Sequence, residues 1–322
     1  MVKQLKIAYA FIRLIRFPNL VIIAVTQYFI RWFILKPILE TAGFRVQLGT
    51  LQFAMLVIST VAIAAAGYII NDYFDRKTDL INRPGKVIVG RLISRRYAMF
   101  FHIFFTALGV LAGAAVAYSI GRLSLTIIFV FAAGVLWFYS TTYKRQILVG
   151  NLVISVLVGL VPLMVLLFEL PLLVKEYQFH NLSSDINFDY LIFWVCAYAG
   201  FAFMINLIRE IIKDMEDFEG DATFGRQTIP IVWGMKTARN IAISLIGLVI
   251  LPILYLLYFH LSDKISFTYI ILFVVVPLLL IAFGTFWAST KKQYHTLSNM
   301  VKITMLTGLI YCPIANYIIA HY

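Results

Sequence analysis

A chain built from repeated windows of about 20 mainly apolar residues has few ways to fold, because each window is long enough to cross a bilayer as one helix. Nine such windows recur here, at about 17–35, 51–71, 97–118, 123–143, 148–170, 188–209, 237–259, 266–288 and 299–320. With 62% hydrophobic and 13% charged residues, no water-soluble fold has enough polar surface to cover the remainder. The expected class is all-α: a polytopic membrane protein, a bundle of nine transmembrane helices, with residues 1–322 as a single membrane-embedded domain. Residues 1–16 mix Lys3, Lys6, Arg13 and Arg16 with Leu5, Ile7, Phe11, Leu14 and Ile15. That mixture suits a short N-terminal amphipathic helix lying on the membrane surface. Arg13 and Arg16 interrupt the apolar stretch that follows the first lysines, so the first span is expected to be retained and not cleaved as a signal peptide.

Basic residues orient the spans. If the N-terminus is cytoplasmic, 21 Lys and Arg residues fall on the cytoplasmic side and five, Lys36, Arg45, Arg122, Lys175 and Lys264, on the other, with Arg31 inside the first span. This bias sets a cytoplasmic N-terminus and an external C-terminus. A net charge of +12 in a soluble chain would suggest nucleic acid; between apolar spans it meets anionic headgroups instead, and no nucleic-acid partner is expected. Cys196 and Cys312 both lie in apolar runs, where a thiol behaves as a small hydrophobe, so neither a disulfide framework nor a zinc site is expected. Pro162, Pro252, Pro277 and Pro313 fall within spans, where they kink helices without implying chemistry.

The polar chemistry concentrates in two stretches. Directly after the second span comes Asn71-Asp72-Tyr73-Phe74-Asp75-Arg76-Lys77-Thr78-Asp79, and 142 residues later Lys213-Asp214-Met215-Glu216-Asp217-Phe218-Glu219-Gly220-Asp221 repeats the same aspartate spacing. On a continued helix, Asp72, Asp75 and Asp79 at i, i+3 and i+7 share one face, and so do Asp214, Asp217 and Asp221. One such run is equally a solvated helix end. Two runs of identical spacing, each closing an apolar helix on the side that the basic residues mark as cytoplasmic, point to an old duplication and to a shared task.

Three like charges on one face repel unless a cation intervenes, and hard carboxylate oxygens suit Mg²⁺, which completes its shell with phosphate and water. The interleaved Arg76, Lys77, Arg83, Lys86, Lys144, Arg209 and Lys213 add the charge that a diphosphate needs. An apolar bundle beneath accommodates a hydrocarbon tail, so a lipid diphosphate satisfies both halves of such a site. The reaction it permits is ionisation of an allylic carbon with departure of diphosphate, followed by attack of an acceptor in a dry pocket. Tyr68, Tyr73, Phe74, Tyr139, Tyr143 and Phe203 are placed to shield the cation with their π-faces.

These residues carry a family resemblance. Asn71-Asp72-x-x-Asp75-x-x-x-Asp79 after the second span and Lys213-Asp214-x-x-Asp217-x-x-Gly220-Asp221 after the sixth resemble the two signature motifs of the UbiA superfamily of intramembrane prenyltransferases. The resemblance implies nine transmembrane helices with cytoplasmic motifs, in agreement with the topology counted above. Asn71-Asp72-Tyr73-Phe74-Asp75 followed by Ile81-Asn82-Arg83-Pro84, with Arg209-Glu210-Ile211-Ile212-Lys213-Asp214 and Thr228-Ile229-Pro230, is similar to the digeranylgeranylglyceryl phosphate synthase branch. Enzymes of that branch move a geranylgeranyl group from its diphosphate to the hydroxyl of geranylgeranylglyceryl phosphate, making an ether lipid. By resemblance, Asn71, Asp72, Asp75, Asp79, Asp214, Asp217 and Asp221 form the metal set, with Asp72, Asp75, Asp214 and Asp217 catalytic. Arg83, Lys213, Tyr139, Lys144, Asn71 and Asn19 are then the diphosphate contacts. The implied cofactor is Mg²⁺, the partners are a prenyl diphosphate, a lipophilic acceptor and the bilayer, and the location is the cell (inner) membrane with a cytoplasmic active site.

The chain departs from the branch after Arg83-Pro84, where Gly85-Lys86-Val87-Ile88-Val89-Gly90 replaces a proline-rich stretch expected to close over the acceptor. Transfer to an aromatic ring, as in quinone synthesis, is therefore the alternative reaction. A multi-span transporter is the non-enzyme alternative, disfavoured because the spans are nearly free of acids, with Glu169 and Glu210 near helix ends. A lipid-binding member that has lost its chemistry is disfavoured by the two intact Asp triplets. His102, His180, His260, His295 and His321 lie outside both motifs and read as structural or interfacial.

Overall fold

The structure, a computed structural model, describes residues 2–82, 85, 87–178, 188–261 and 263–321. Among these, nine helical stretches are long and apolar enough to cross a membrane, and the chain is an integral membrane protein. The amphipathic helix α1 (Val2–Leu14) precedes α2 (Phe17–Phe29), which continues through a π-helical turn at Ile30–Leu35 into α3 (Lys36–Thr41). The first span thus reaches Thr41, beyond the expected 35. Lys36 does not end it, because its ammonium lies 5.2 Å from the Trp32 ring and pairs with Glu40 at 3.7 Å, while the missing N–H of Pro37 falls where the ladder passes through π-helical bonds, Lys36 N donating to the Arg31 carbonyl.

Further spans are α4 (Thr50–Asn82), α5 (Arg95–Ser119), α6 (Thr126–Thr141), α7 (Val149–Leu173) and α8 (Asp189–Glu216). Short helices α9 (Phe218–Thr223) and α10 (Ile229–Val232) lead to α11 (Met235–Phe259), α12 (Lys264–Ile270) with its π-helical continuation into α13 (Val276–Trp287), and α14 (Lys291–His321). At about 1.5 Å per residue, the 33 residues of α4 run about 50 Å, well past the roughly 30 Å of hydrocarbon. Its last turns, which carry the first motif, remain helical because Thr78 and Asn82 bury their side chains there.

The contacts group the chain into two compact units: Met1–Tyr28, Gly43–Tyr143 and Val161–Ile192 in one, and Phe29–Ala42, Lys144–Leu160 and Phe193–Tyr322 in the other. In the first unit α4 packs most extensively on α5, and then on α6. Lipid tails are as apolar as side chains, so helices hold together through close backbone approach and hydrogen bonds. Gly109 and Gly113, one turn apart on α5, supply that approach: a Cβ at Gly109 would lie 2.6 Å from Ile63 Cγ1, and one at Gly113 would lie 2.3 Å from the Phe129 ring. Ser59 Oγ donates to the Gly109 carbonyl at 2.6 Å across the same contact. Deeper in this unit, Gln27 Nε2 donates to Thr60 Oγ1 at 3.1 Å and to the Val161 carbonyl at 3.3 Å, next to Pro162.

Val87, Ile88 and Val89, which replace the expected proline-rich stretch, are buried; Ile88 and Val89 join Ala10, Leu14, Ile69, Ile93 and Ala98 in one small core. The N-terminal amphipathic helix is thereby fastened to α4 just before the first motif. In the second unit, Ile205, Ile208, Ile212, Ile246, Leu278, Ile281 and Val301 form a core shared by α8, α11, α13 and α14. Arg239 of α11 donates to the carbonyls of Phe286 and Ala288 at 3.0 and 2.9 Å, satisfying acceptors at the end of α13.

Candidate active site

The first motif rides on the unbroken helix α4, so Asp72, Asp75 and Asp79 do share one face. Asp75 is buried, and Asp72 and Asp79 are half-buried. The helix continues through all three aspartates, as their spacing requires, because a long helix needs no turn where the bilayer ends. Arg16 reaches this face from the junction of α1 and α2, its Nη2 donating to Asp72 Oδ1 at 2.9 Å and its guanidinium lying 4.8 Å from the Tyr68 ring centroid. Desolvation works against the Arg16 charge and is outweighed by Asp72, Tyr68 and Asp75. Arg16 also adopts a left-handed backbone (φ 51), costly for a residue with a side chain.

The second motif has different geometry. Asp214 lies in the last turn of α8, the helix breaks at Asp217, and Asp221 lies in α9, so the three do not share one unbroken helix. Backbone bonds from Asp217 N to the Lys213 carbonyl (2.9 Å) and from Asp221 N to the Asp217 carbonyl (3.1 Å) bridge the break. The break follows Glu216, whose buried carboxylate accepts from His295 Nδ1 of α14 at 3.0 Å. Lys213 Nζ stands 3.5 Å from Asp217 Oδ2, and Arg226 Nη1 stands 3.2 Å from Asp221 Oδ1. Burial pushes the Asp221 carboxyl above its ordinary range and Asp217 adds to the rise, while Arg226, Lys144 and Lys213 oppose it.

Asp214 is held by a residue that the motif spacing does not reveal. Asn151, in the first turns of α7, donates from Nδ2 to Asp214 Oδ2 at 2.8 Å. Behind it Ser155 Oγ donates to the Asn151 carbonyl at 2.6 Å, and Asn206 Nδ2 donates to Ser155 Oγ at 3.2 Å. A polar residue in the first turn of an apolar helix was the available signal for Asn151, and a basic residue just ahead of one was that for Arg16. The segment after the motif is tied to the segment before α7 by Gln227 N, which donates to the Arg145 carbonyl at 3.1 Å.

Other expected residues are distributed as follows. Lys144 lies close enough to act on Asp221 in the second unit, whereas Tyr139 is half-buried on α6 and Asn19 sits in the first turn of α2, both in the first unit. Arg83, Lys86 and His180 lie outside the described residues. Tyr68 and Tyr73 already hold positive charge against their ring faces, from Arg16 and, at 4.4 Å, from Arg95. Phe74 instead packs edge-on to Trp137, Tyr143 against Phe138, and Phe203 beside Gly159. His102 is structural, with Nδ1 against the Ala66 carbonyl at 3.0 Å.

Among the described residues, no three His, Cys, Asp or Glu side chains converge into a ready-made cation cage. The donor set nevertheless fits a hard dication: it is all oxygen, six carboxylates with the Asn71 carboxamide, partly withdrawn from water, and such ions take one or two carboxylates and fill the rest of their shell from phosphate and water.

A profile of the UbiA prenyltransferase family matches residues 41–304, a span that contains both motifs. This chain belongs to that family. Its membership decides for an enzyme over a transporter. Similar members include the digeranylgeranylglyceryl phosphate synthase of Methanopyrus kandleri, 31% identical over 84% of this chain and 88% of that one. The enzyme of the same name from Methanothermobacter thermautotrophicus is 31% identical over 81% and 85%. Among solved structures, that of a digeranylgeranylglyceryl phosphate synthase in membranes superposes with a TM-score of 0.62 at 21% identity, covering 98% of this chain and 99% of that one. A UbiA homologue from Archaeoglobus fulgidus bound to DMAPP and Mg²⁺ shares the fold with a TM-score of 0.55 at 16% identity, covering 92% and 98%.

Proposed function

We propose that this prenyltransferase transfers a geranylgeranyl group from geranylgeranyl diphosphate to the free hydroxyl of geranylgeranylglyceryl phosphate, with Mg²⁺, at the cytoplasmic face of the cell membrane, and that residues 1–322 act as one catalytic domain. The observation that carries the reading is the pair of relatives at 31% identity over more than four-fifths of the chain, both digeranylgeranylglyceryl phosphate synthases. The cytoplasmic side rests on the distribution of Lys and Arg between the spans.

The proposed metal ligands are Asp72, Asp75 and Asp79 with Asn71 in the first motif, and Asp214, Asp217 and Asp221 in the second. Mg²⁺, when bound, neutralises the diphosphate and stabilises it as a leaving group. Lys213, Lys144, Arg83 and Arg226 supply further positive charge to phosphate oxygens as the allylic C–O bond breaks. The faces of Tyr68 and Tyr73, which already accommodate guanidinium groups, suit them to stabilise allylic positive charge. The acceptor hydroxyl oxygen then forms the new C–O bond and loses its proton.

A transfer assay tests this. Purified protein with Mg²⁺ and radiolabelled geranylgeranyl diphosphate is offered geranylgeranylglyceryl phosphate or, separately, a panel of aromatic acids. Product with the glyceryl phosphate alone is expected. Product with an aromatic acid alone would move the chain to quinone-type chemistry and overturn the acceptor assignment.

A further inference from the structure

The aspartates of the two motifs differ in the chemistry of what holds them. Asp72 is bound by the Arg16 guanidinium, Asp217 by the Lys213 ammonium and Asp221 by the Arg226 guanidinium. Asp214 is bound by a neutral carboxamide, that of Asn151, at 2.8 Å. A cationic partner orients a carboxylate and also cancels the charge that a metal ion seeks; a neutral donor orients it and leaves the charge in place.

The support behind Asn151 is extensive for one hydrogen bond. Ser155 is wholly buried and Asn206 nearly so, and their hydrogen bonds run from α8 through Ser155 to the Asn151 backbone. Polar side chains within a membrane helix bundle are costly unless paired, so such a chain marks a place where side-chain orientation matters. Leu148, just ahead of α7, adopts a left-handed backbone (φ 63), an outlier for a bulky side chain. Strain is thus held in the segment that delivers Asn151, and Gln227 N, bonded to the Arg145 carbonyl, pins that segment to the far side of the motif.

We propose that Asn151 is a positioning residue for the metal site: it ties Asp214 Oδ2 and so fixes Oδ1 as the oxygen that meets the divalent cation. Ser155 and Asn206 hold Asn151 in turn. This rests on the reading of Asp214 as a metal ligand.

The test uses the full-length purified protein and Mn²⁺ as a paramagnetic probe, with free and bound ion separated by electron paramagnetic resonance in the absence of substrate. Asn151→Ala is expected to weaken Mn²⁺ binding about tenfold, the usual consequence of removing a partner that orients a metal ligand. It should raise the Mg²⁺ concentration for half-maximal transfer by a similar factor, while kcat at saturating Mg²⁺ stays within about twofold, as for a loss of binding common to ground and transition states. Asp214→Ala separates the two readings. If it keeps the parent affinity for Mn²⁺, the assignment of Asp214 to the metal fails and the proposal falls with it. If it loses Mn²⁺ while Asn151→Ala, folded, binds as the parent does, only the positioning role is overturned. Should Asn151→Ala not fold, Ser155→Ala decides: it keeps the carboxamide and removes the bond to the Asn151 backbone and the link to Asn206, a drop in Mn²⁺ affinity is expected, and an unchanged affinity overturns the proposal.

Discussion

Glu169 offers a sharp test of what holds the first unit together. It is fully buried on α7, and its carboxylate accepts from the backbone amides of Gln47 and Leu48, the latter at 3.2 Å to each oxygen. These amides belong to the segment between α3 and α4. Hydrogen bonds to a charged group contribute about 1.5–3 kcal/mol each, and a buried amide left without a partner costs about 1–3 kcal/mol. Glu169→Leu removes the carboxylate acceptor of both amides, so a loss of about 2–6 kcal/mol is expected, reduced somewhat because the variant no longer buries a carboxylate. Glu169→Gln keeps the oxygen that accepts from both amides but sets an NH₂ group toward Leu48 N in place of the second oxygen and weakens both bonds by removing the carboxylate, so about 2 kcal/mol is expected. Glu40→Gln is the control, since Glu40 is exposed and its pair with Lys36 is worth at most about 0.5 kcal/mol. Apparent unfolding midpoints of the purified variants in detergent micelles should fall in the order parent, Glu40→Gln, Glu169→Gln, Glu169→Leu. A Glu169→Leu protein as stable as the parent would refute the reasoning, because it would mean that the amides of Gln47 and Leu48 need no carboxylate.

Asp72→Ala is expected to abolish transfer in the radiolabel assay and to lower stability by no more than about 1 kcal/mol, because its pair with Arg16 is partly open to solvent; appreciable turnover would remove the metal role of the first motif. Chelation of divalent ions with EDTA should stop product formation and added Mg²⁺ should restore it, whereas turnover that persists in EDTA would exclude an exchangeable cation. Gly109→Ala is expected to destabilise by about 2 kcal/mol, since overpacking against Ile63 and the Ser59 carbonyl exceeds the helix-propensity gain of about 1 kcal/mol. Gly134→Ala, with open space around the new methyl, should be neutral or stabilising, and equal melting shifts for these two glycine variants would count against close α4–α5 approach.

The spans were legible because length and apolarity alone decide them; their ends were not, because hydropathy falls before the helix does. The sixth span was expected to stop at 209, yet α8 runs to Glu216, since Arg209, Glu210 and Lys213 are all good helix formers and Arg209 pairs with Glu210 at 2.9 Å. The last span was expected to begin at 299, and α14 begins at Lys291 for a similar reason: polar residues such as Gln293, whose Oε1 accepts from Ser289 N and Thr290 N, start a helix as well as apolar ones do. Both aspartate motifs were visible as spacing. Their partners were not, because Arg16 stands 56 residues from Asp72 and Asn151 stands 63 residues from Asp214, and no local period encodes such a pairing. Glu169 lies near a helix end, as its place in the sequence suggests, but nothing local to it shows that the Gln47–Leu48 segment, more than 120 residues away, folds onto it.

The replacement of the expected proline-rich stretch by Val87-Ile88-Val89 weakens an acceptor assignment made from motifs alone, yet the fold gives these residues a definite task. Prolines stiffen a segment by restricting its own backbone, and they do so wherever the segment lies. Branched apolar side chains hold it only by docking, and here all three are buried, two of them in the core that Ala10 and Leu14 of α1 share with Ile69 of α4. The same core brings α1 to α4 one turn before Asp72, and Arg16, two residues beyond α1, completes the link by binding that aspartate. Fixing the segment through α1 therefore also fixes Arg16, so in this chain the geometry of the first motif depends on residues at the N-terminus that the family profile, starting at residue 41, does not cover.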